Sequence, residues 1–229
     1  MQNFIGRNFL DLKTNATAPF NALLNHNISV ILGEPASGKT YQLRQFKKEN
    51  NEDVHFVNLI NIESEKNLEL IQNKKYILLD SIDEALVDYK NHKKLQKQLT
   101  EFIKSCRNQN PNIKFVLTCR QLEWNDYFKS ELEELDKTLT VYQIQDLTKD
   151  EINQLLIQAK IDTDEFWEFI SKNYLDFLLK NILVIFNIID NYKEYKTKEL
   201  NFIDIYFDLI KEHLSVKGDD REALSSETL

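Results

Sequence analysis

Apolar residues in the first two-thirds of the chain are concentrated in short runs that are typical of buried β-strands. Five such runs occur, at residues 28–32, 54–59, 76–80, 113–119 and 139–144. The third and fourth runs are almost continuously apolar, as expected for central strands that are covered on both faces. Because segments with helical periodicity separate the runs, the pattern predicts an α/β fold, a three-layer α/β/α parallel sheet.

One long helix is predicted between the third and fourth runs. Apolar side chains recur there at helical spacing, which places them on one face of a helix that packs against the sheet. The members of this stripe are Leu95, Leu99, Phe102, Ile103 and Cys106. Pro111 then prevents the helix from continuing into the next strand.

Helical periodicity replaces the strand pattern after about residue 146. Thr148 and Glu151 have the spacing of a capping box, in which two side chains satisfy N–H groups at the start of a helix. Further helical patterns follow, with no clear strand signal among them. The predicted division is an α/β domain over residues 1–146, an all-helical subdomain over 147–215, and a polar tail or the start of a further element over 216–229.

Composition narrows the classes of function. The chain has 229 residues, of which 42% are hydrophobic and 29% charged, as in ordinary globular proteins. A net charge of −8 argues against binding of nucleic acid through bulk electrostatics. The first residues lack the apolar core of a signal peptide, and no run approaches the ~18 apolar residues of a membrane span. We therefore expect a cytoplasmic protein without a membrane partner, with Cys106 and Cys119 as reduced core thiols.

The most specific pattern is a glycine-rich loop directly after the first strand-like run. Residues 33–40 read Gly-Glu-Pro-Ala-Ser-Gly-Lys-Thr, which matches the P-loop pattern G-x-x-x-x-G-K-T. In such a loop, backbone N–H groups and the following helix N-terminus point at bound phosphates. Lys39 would reach the β- and γ-phosphates, and the Thr40 hydroxyl would hold Mg²⁺. The predicted nucleotide-binding residues are Gly33, Glu34, Pro35, Ala36, Ser37, Gly38, Lys39, Thr40 and Tyr41.

Three carboxylates follow the third run. Asp80 ends that strand-like run, so we expect it to hold Mg²⁺ together with Thr40. Asp83 and Glu84 come one short turn later, where either could orient or deprotonate an attacking water. The alternative is that Asp83 and Glu84 only cap the following helix, whose N-terminus favours negative charge.

The fourth run ends in polar residues as well. Thr118 and Arg120 lie at the carboxyl end of a buried strand, which in open α/β sheets faces the crevice where ligands bind. We expect Thr118 to contact the nucleotide. Arg120 is a candidate for sensing the γ-phosphate or stabilising the charge that develops during its transfer, and a solvated loop arginine is the alternative.

These segments together resemble the STAND class of signalling P-loop NTPases, and in particular its NACHT-type members. Residues 79–85 are similar to the second motif of that class, in which an apolar strand is followed by Asp, a small residue, an apolar residue and Asp-Glu. Residues 118–120 are similar to its third motif. Residues 4–7 read Phe-Ile-Gly-Arg and are similar to an element that lies against the base or ribose in relatives. The resemblance thus implies that Gly6 and Arg7 contact the nucleotide.

The resemblance also implies a function. STAND proteins act as switches that rest with ADP, exchange it for ATP and then oligomerise, and bacterial members often act in antiviral defence. It therefore implies ATP or ADP with Mg²⁺ as cofactors, slow hydrolysis, and self-association or association with effector or sensor domains. The helical part departs from relatives, because residues 173–175 lack the proline that often touches the nucleotide.

Two other functions remain open from the sequence. One is an AAA-type motor that remodels DNA or protein. Such motors place Asp and Glu directly together and carry an arginine in the helical domain, whereas here Ser81 follows Asp80 and the only arginine after Arg120 is Arg221. The other is a module that binds nucleotide without turnover, against which the intact acids argue.

Overall fold

The structure of the chain is a computed structural model that describes residues 6–64, 71–89, 92–198 and 202–210. The chain forms two compact units. The first unit comprises Gly6–Gln145, and the second begins at Asp146.

One seven-stranded sheet forms the centre of the first unit. Its strands are β1 (Asn8–Asp11), β2 (Thr17–Pro19), β3 (Ile28–Leu32), β4 (Val54–Asn58), β5 (Tyr76–Asp80), β6 (Lys114–Cys119) and β7 (Thr140–Ile144). Their order across the sheet is β2-β1-β7-β3-β6-β5-β4. The five strands from β7 to β4 are parallel, and β1 runs antiparallel to both of its neighbours. The predicted α/β fold is confirmed, and each predicted strand is found with its ends shifted by at most one residue.

The central strands are buried because their side chains alternate between two apolar clusters. On β3, Val30 belongs to one cluster and Ile31 to the other, and on β6 the same holds for Leu117 and Val116. This period of two is the geometry of a strand that is covered on both faces. The nearly continuous apolar runs in the sequence are its consequence.

Five helices occur among the described residues of this unit. They are α1 (Phe20–Leu23), α2 (Lys39–Glu49), α3 (Ile82–Tyr89), α4 (His92–Gln109) and α5 (Asp126–Leu135), and a 3₁₀ segment covers Leu59–Ser64. Helix α4 carries the predicted apolar stripe, and all five members of the stripe are buried in one cluster. Cys106 and Cys119 are both buried, as expected, and they are not joined in a disulfide. Burial raises the pKa of Cys119 far above its ordinary value.

The antiparallel strands β1 and β2 were not predicted. They are only four and three residues long, and Phe9 is the one fully buried position between them. Such short strands lack a periodic signal. Their turn is held locally, because the Asp11 side chain accepts a hydrogen bond of 2.8 Å from the Lys13 backbone N–H. Pro19 is tolerated since β2 lies at the edge of the sheet.

Helices joined by short loops and turns make up the described residues of the second unit. Its elements are α6 (Lys149–Gln158), α7 (Thr163–Lys172), a 3₁₀ helix (Asp176–Lys180), α8 (Ile182–Asp190), α9 (Tyr192–Tyr195) and a helix over 202–210. The capping box is confirmed, since the Glu151 N–H donates to Thr148 Oγ1 and the Thr148 N–H donates to the Glu151 carboxylate. The predicted tail over 216–229 lies outside the described residues.

Among the residues that the structure describes, no helix is long and apolar enough to cross a membrane.

Candidate functional site

The glycine-rich loop connects β3 to α2 at the carboxyl end of the sheet. Ala36 and Gly38 both adopt positive φ angles, 59° and 93°, which fold the loop back on itself. Gly33 has no room for a side chain, because a Cβ there would lie 2.4 Å from Ile144 Cγ2. Gly38 is the N-cap residue of α2 and offers no side chain to the first N–H groups of that helix. A helix N-terminus without a side-chain cap is suited to binding an anion such as a phosphate.

The Lys39 ammonium group contacts the main chain of the glycine-rich loop. Its Nζ donates to the carbonyl oxygens of Gly33 and Glu34 at 2.7 and 3.0 Å. Burial lowers the pKa of Lys39, and the nearby Asp83 carboxylate opposes this effect. A phosphate oxygen would be a stronger acceptor for the ammonium than these neutral carbonyls, because both partners would then be charged.

Asp80, at the end of β5, is hydrogen-bonded to both the glycine-rich loop region and the end of β6. Its Oδ1 accepts hydrogen bonds from Thr40 Oγ1 at 3.1 Å and from Thr118 Oγ1 at 2.6 Å. Strand β6 separates β3 from β5, so Thr118 bridges the gap between the loop and the acid. The Ser81 N–H donates to the same Thr118 hydroxyl at 2.8 Å. Thr118 is fully buried, and its hydroxyl group holds Asp80 in place. The predicted contact of Thr118 with the nucleotide stays a prediction.

Thr40 and Asp80 are suited to holding Mg²⁺. A hydroxyl and a carboxylate in contact are the protein ligands that P-loop NTPases supply, and phosphate oxygens and waters complete the shell. Within the described residues, no group of three or more His, Cys, Asp or Glu side chains could hold a metal ion.

The two candidate acids of α3 have different surroundings. Asp83 is buried, and its carboxylate is paired with Arg120 through both the side chain and the backbone N–H, at 2.7 and 3.1 Å. Glu84 is exposed to solvent. The structure thus pairs Asp83 with Arg120, and both act electrostatically on Lys39. The predicted role of Arg120 toward the γ-phosphate stays a prediction.

Other predicted residues lie around the loop. Glu34 and Pro35 are exposed, whereas Ser37 and Tyr41 are half-buried. Burial raises the pKa of Tyr41. Among the described atoms, Ser37 Oγ is buried without a hydrogen-bond partner, so the loop retains an unused polar atom.

Arg7 lies against the main chain of the loop. It is only 3% exposed, and it donates from Nη1 to the Ser37 carbonyl at 3.0 Å and from Nη2 to the Gln145 carbonyl. The Arg7 N–H also donates to the side chain of the buried Gln42 at 3.4 Å. The sequence had not indicated Gln145, because a main-chain acceptor leaves no trace in residue type. Gln42 was not indicated either, since its side chain accepts from a backbone N–H that is distant in sequence. Gly6 is exposed.

Comparisons with known proteins agree with this geometry. The model of a protein family described as nSTAND3, novel STAND NTPase 3, matches residues 4–160. A search of curated proteins finds no significant match.

Among solved structures, the chain is similar to the replication initiator DnaA bound to AMPPCP and single-stranded DNA. The TM-score is 0.51 at 17% sequence identity, and the match covers 84% of this chain and 63% of the DnaA chain. This chain thus spans less than two-thirds of the DnaA chain, and at this identity the similarity concerns the fold alone.

Proposed function

We propose that this chain, which belongs to the novel STAND NTPase 3 family, binds ATP with Mg²⁺ at its glycine-rich loop and hydrolyses it slowly. Membership in the family makes the chain a nucleotide-binding NTPase. The preference for ATP, the slow turnover and a response that differs between ATP and ADP are our proposals. Binding of a nucleotide with Mg²⁺ is supported by the contact of 3.1 Å between Thr40 Oγ1 in the loop and Asp80 Oδ1 at the end of β5. The slow turnover and the different responses are supported by the ion pair between Arg120 and Asp83.

Thr40 and Asp80 would hold the metal ion. When bound, Mg²⁺ neutralises charge on the phosphates and helps to align them. Thr118 keeps Asp80 in place through its hydrogen bond of 2.6 Å. Lys39 would exchange its two carbonyl acceptors for phosphate oxygens, since a charged acceptor binds an ammonium group more strongly.

We assign the acid that orients water to Asp83 in preference to Glu84. Asp83 is buried and lies within the electrostatic reach of Lys39, whereas Glu84 is exposed. The Asp83 carboxylate forms an ion pair with Arg120. An acid held in this way is a poor base, which supports slow basal hydrolysis.

Arg120 would distinguish the two nucleotides. A γ-phosphate offers Arg120 a second anionic acceptor, and only ATP carries one. With ADP, the pair of Arg120 and Asp83 would persist. The site thus has two arrangements that the γ-phosphate can bias, as a molecular switch requires.

Family membership supports a wider role as a switch. We propose a cytoplasmic switch of NACHT-type organisation that acts in bacterial antiviral defence and associates with itself or with effector and sensor domains. The net charge of −8 supports recognition of nucleotide over binding of nucleic acid through bulk charge.

A second candidate is an AAA-type motor that acts on DNA or protein. The similarity to DnaA, which was solved bound to AMPPCP and single-stranded DNA, favours it. Against it, no arginine occurs between Arg120 and Arg221 in the sequence, so the helical residues 146–198 cannot supply one to the nucleotide. A motor would also turn over ATP rapidly, which a hydrolysis assay distinguishes.

Titration with ATP and ADP in the presence of Mg²⁺ tests the proposal. Lys39→Ala should weaken ATP binding by about 100-fold, because a charge-assisted contact is lost. Lys48→Ala is the matched control on the exposed face of α2 and should bind like the wild type. Equal ATP affinity in a folded Lys39→Ala variant would refute the assignment of the loop.

A further inference from the structure

Arg7 connects two main-chain segments that are distant in sequence. Its guanidinium group donates to the carbonyl of Ser37 in the glycine-rich loop and to the carbonyl of Gln145, directly after β7. The Gln145 N–H in turn donates to the Asn8 carbonyl at 2.9 Å, next to Arg7 in the chain. Gln145 is the last residue of the first unit, and the second unit begins at Asp146.

We propose that Arg7 is a positioning residue that orients the loop for phosphate binding and couples the loop to the end of β7. This inference rests on the proposed nucleotide-binding function. It differs from the expectation for this segment, because Arg7 acts here on the main chain of the protein and does not need to touch the base or ribose.

The geometry of the peptide bond explains the orienting role. In a trans peptide, the C=O and N–H groups point in opposite directions. Arg7 holds the Ser37 carbonyl on its own side, so the N–H of Gly38 points to the opposite side. Gly38 precedes the first turn of α2, whose N–H groups form the anion-binding end of the helix.

The choice of arginine is explained by the two acceptors. A guanidinium group presents several donors in a rigid plane, so Nη1 and Nη2 can bind two carbonyls at once. A lysine would offer a single ammonium group. The buried positive charge of Arg7 also lies beside a loop that has to attract phosphates, which adds to its electrostatic potential.

The coupling role follows from the second acceptor. A nucleotide that shifts the Ser37 carbonyl would move or weaken its bond to Arg7, and the same guanidinium group holds Gln145. Asp146 follows Gln145 by one peptide bond. Coupling between two sites is reciprocal, so a conformational change at Gln145 that nucleotide binding favours would in turn raise the affinity for the nucleotide.

The test compares Arg7→Met with Arg7→Lys and with Arg107→Met. Arg107 is a matched control, since it also donates to a main-chain carbonyl, that of Leu135 at 2.9 Å, outside the candidate site. Affinities for ADP and ATP are measured by titration. Amide hydrogen exchange of residues 34–38 and 143–147 is recorded with and without ADP.

We expect Arg7→Met to lose about tenfold or more in affinity for both nucleotides, on the scale of one charge-assisted contact. Arg7→Lys should recover part of this loss. Arg107→Met should lower the melting temperature but leave both affinities within about twofold of the wild type. In the wild type, ADP should change the exchange of residues 143–147, and in Arg7→Met it should not.

Two results would overturn the inference. One is an Arg7→Met variant that binds both nucleotides as Arg107→Met does, and the other is an unchanged response of residues 143–147 to ADP in that variant. Amide exchange measured without nucleotide tests the link between the loop and the end of β7 separately from the proposed function. Arg7→Met should then raise the exchange rates of residues 34–38 and of residues 143–147 together. If Arg7→Met does not fold, the same comparisons with Arg7→Lys decide the outcome. A wild type that binds neither nucleotide would refute the proposed function instead.

Discussion

The Nε atom of Arg120 lies 2.7 Å from Oδ2 of Asp83, and the Arg120 backbone N–H donates to Oδ1 of the same carboxylate at 3.1 Å. The Arg120 side chain is 42% exposed, whereas that of Asp83 is almost fully buried. The pair can therefore open by movement of the arginine while the acid stays in place. A γ-phosphate is the charged group that would compete for Arg120 in the proposed site.

Removal of the arginine should affect ATP and ADP differently. Arg120→Ala is expected to leave ADP affinity within about twofold and to weaken ATP binding by about tenfold, because only ATP offers the acceptor that Arg120 would bind. Competition titrations measure both affinities. Arg44→Ala, an exposed arginine on α2, is the control. Equal losses for ATP and ADP in Arg120→Ala would contradict this role.

The two acids of α3 should contribute unequally to hydrolysis. Asp83→Asn is expected to slow turnover by about 100-fold, since it removes the group assigned to orient water. Glu84→Gln should stay within about threefold of the wild type, because Glu84 is exposed. Phosphate release under Mg²⁺-ATP measures both rates. If Glu84→Gln slows turnover more than Asp83→Asn, the acid that orients water is Glu84. If neither variant changes turnover, both acids only cap helix α3.

Replacement of Ser81 by glycine should cost less stability than replacement of a serine within a helix. Its φ angle of 68° lies in the left-handed region, which costs a residue with a Cβ about 1 kcal/mol. Ser81→Gly is therefore expected to keep or raise the free energy of unfolding by up to about 0.5 kcal/mol. Ser130→Gly in α5 is the control and should lower it by about 1 kcal/mol. Urea unfolding that shows equal losses for both variants would contradict this account.

Asp136 should make the stability of the first unit depend on acid pH. Burial raises its pKa, but hydrogen bonds from Thr138 and Arg107 outweigh this effect, and the pKa lies below its ordinary value. A carboxyl group with a lowered pKa stabilises the fold above the unfolded pKa of about 4, and this contribution is lost as the pH falls through the folded pKa.

Asp136→Asn should thus lower the free energy of unfolding by about 2 kcal/mol at pH 7, and the difference from the wild type should shrink as the pH falls below about 4. Denaturant unfolding across this pH range measures it. Asp53→Asn, which removes the exposed partner of Lys75, should change little at any pH. A difference in the free energy of unfolding between Asp136→Asn and the wild type that grows as the pH falls would contradict this account.

The sequence predicted the central part of the fold because burial on both faces leaves a strong local pattern. The five parallel strands, helix α4 and the capping box at Thr148 all follow from apolar spacing or from one short motif. The STAND class is likewise confirmed by the family match over residues 4–160. The NACHT-type assignment, the domain boundaries and the roles of the site residues stay predictions.

Other features depend on tertiary contacts that the sequence does not display. Strands β1 and β2 exist because β7 offers an edge, and their own residues carry almost no periodicity. Asp83 and Glu84 are adjacent acids, and only the packing of α3 buries one and exposes the other. Arg7 donates to main-chain carbonyls, and because every residue has such a carbonyl, the residue types do not indicate these contacts.

The central claim is that the site distinguishes ATP from ADP while turning over slowly. Amide hydrogen exchange with Mg²⁺ and either ADP or the non-hydrolysable analogue AMPPCP tests it most directly. We predict that both nucleotides protect residues 33–41, and that residues 80–84 and 118–121 differ between the two, because only the triphosphate competes for Arg120. Lack of protection at residues 33–41, or identical patterns with the two nucleotides, would contradict the account.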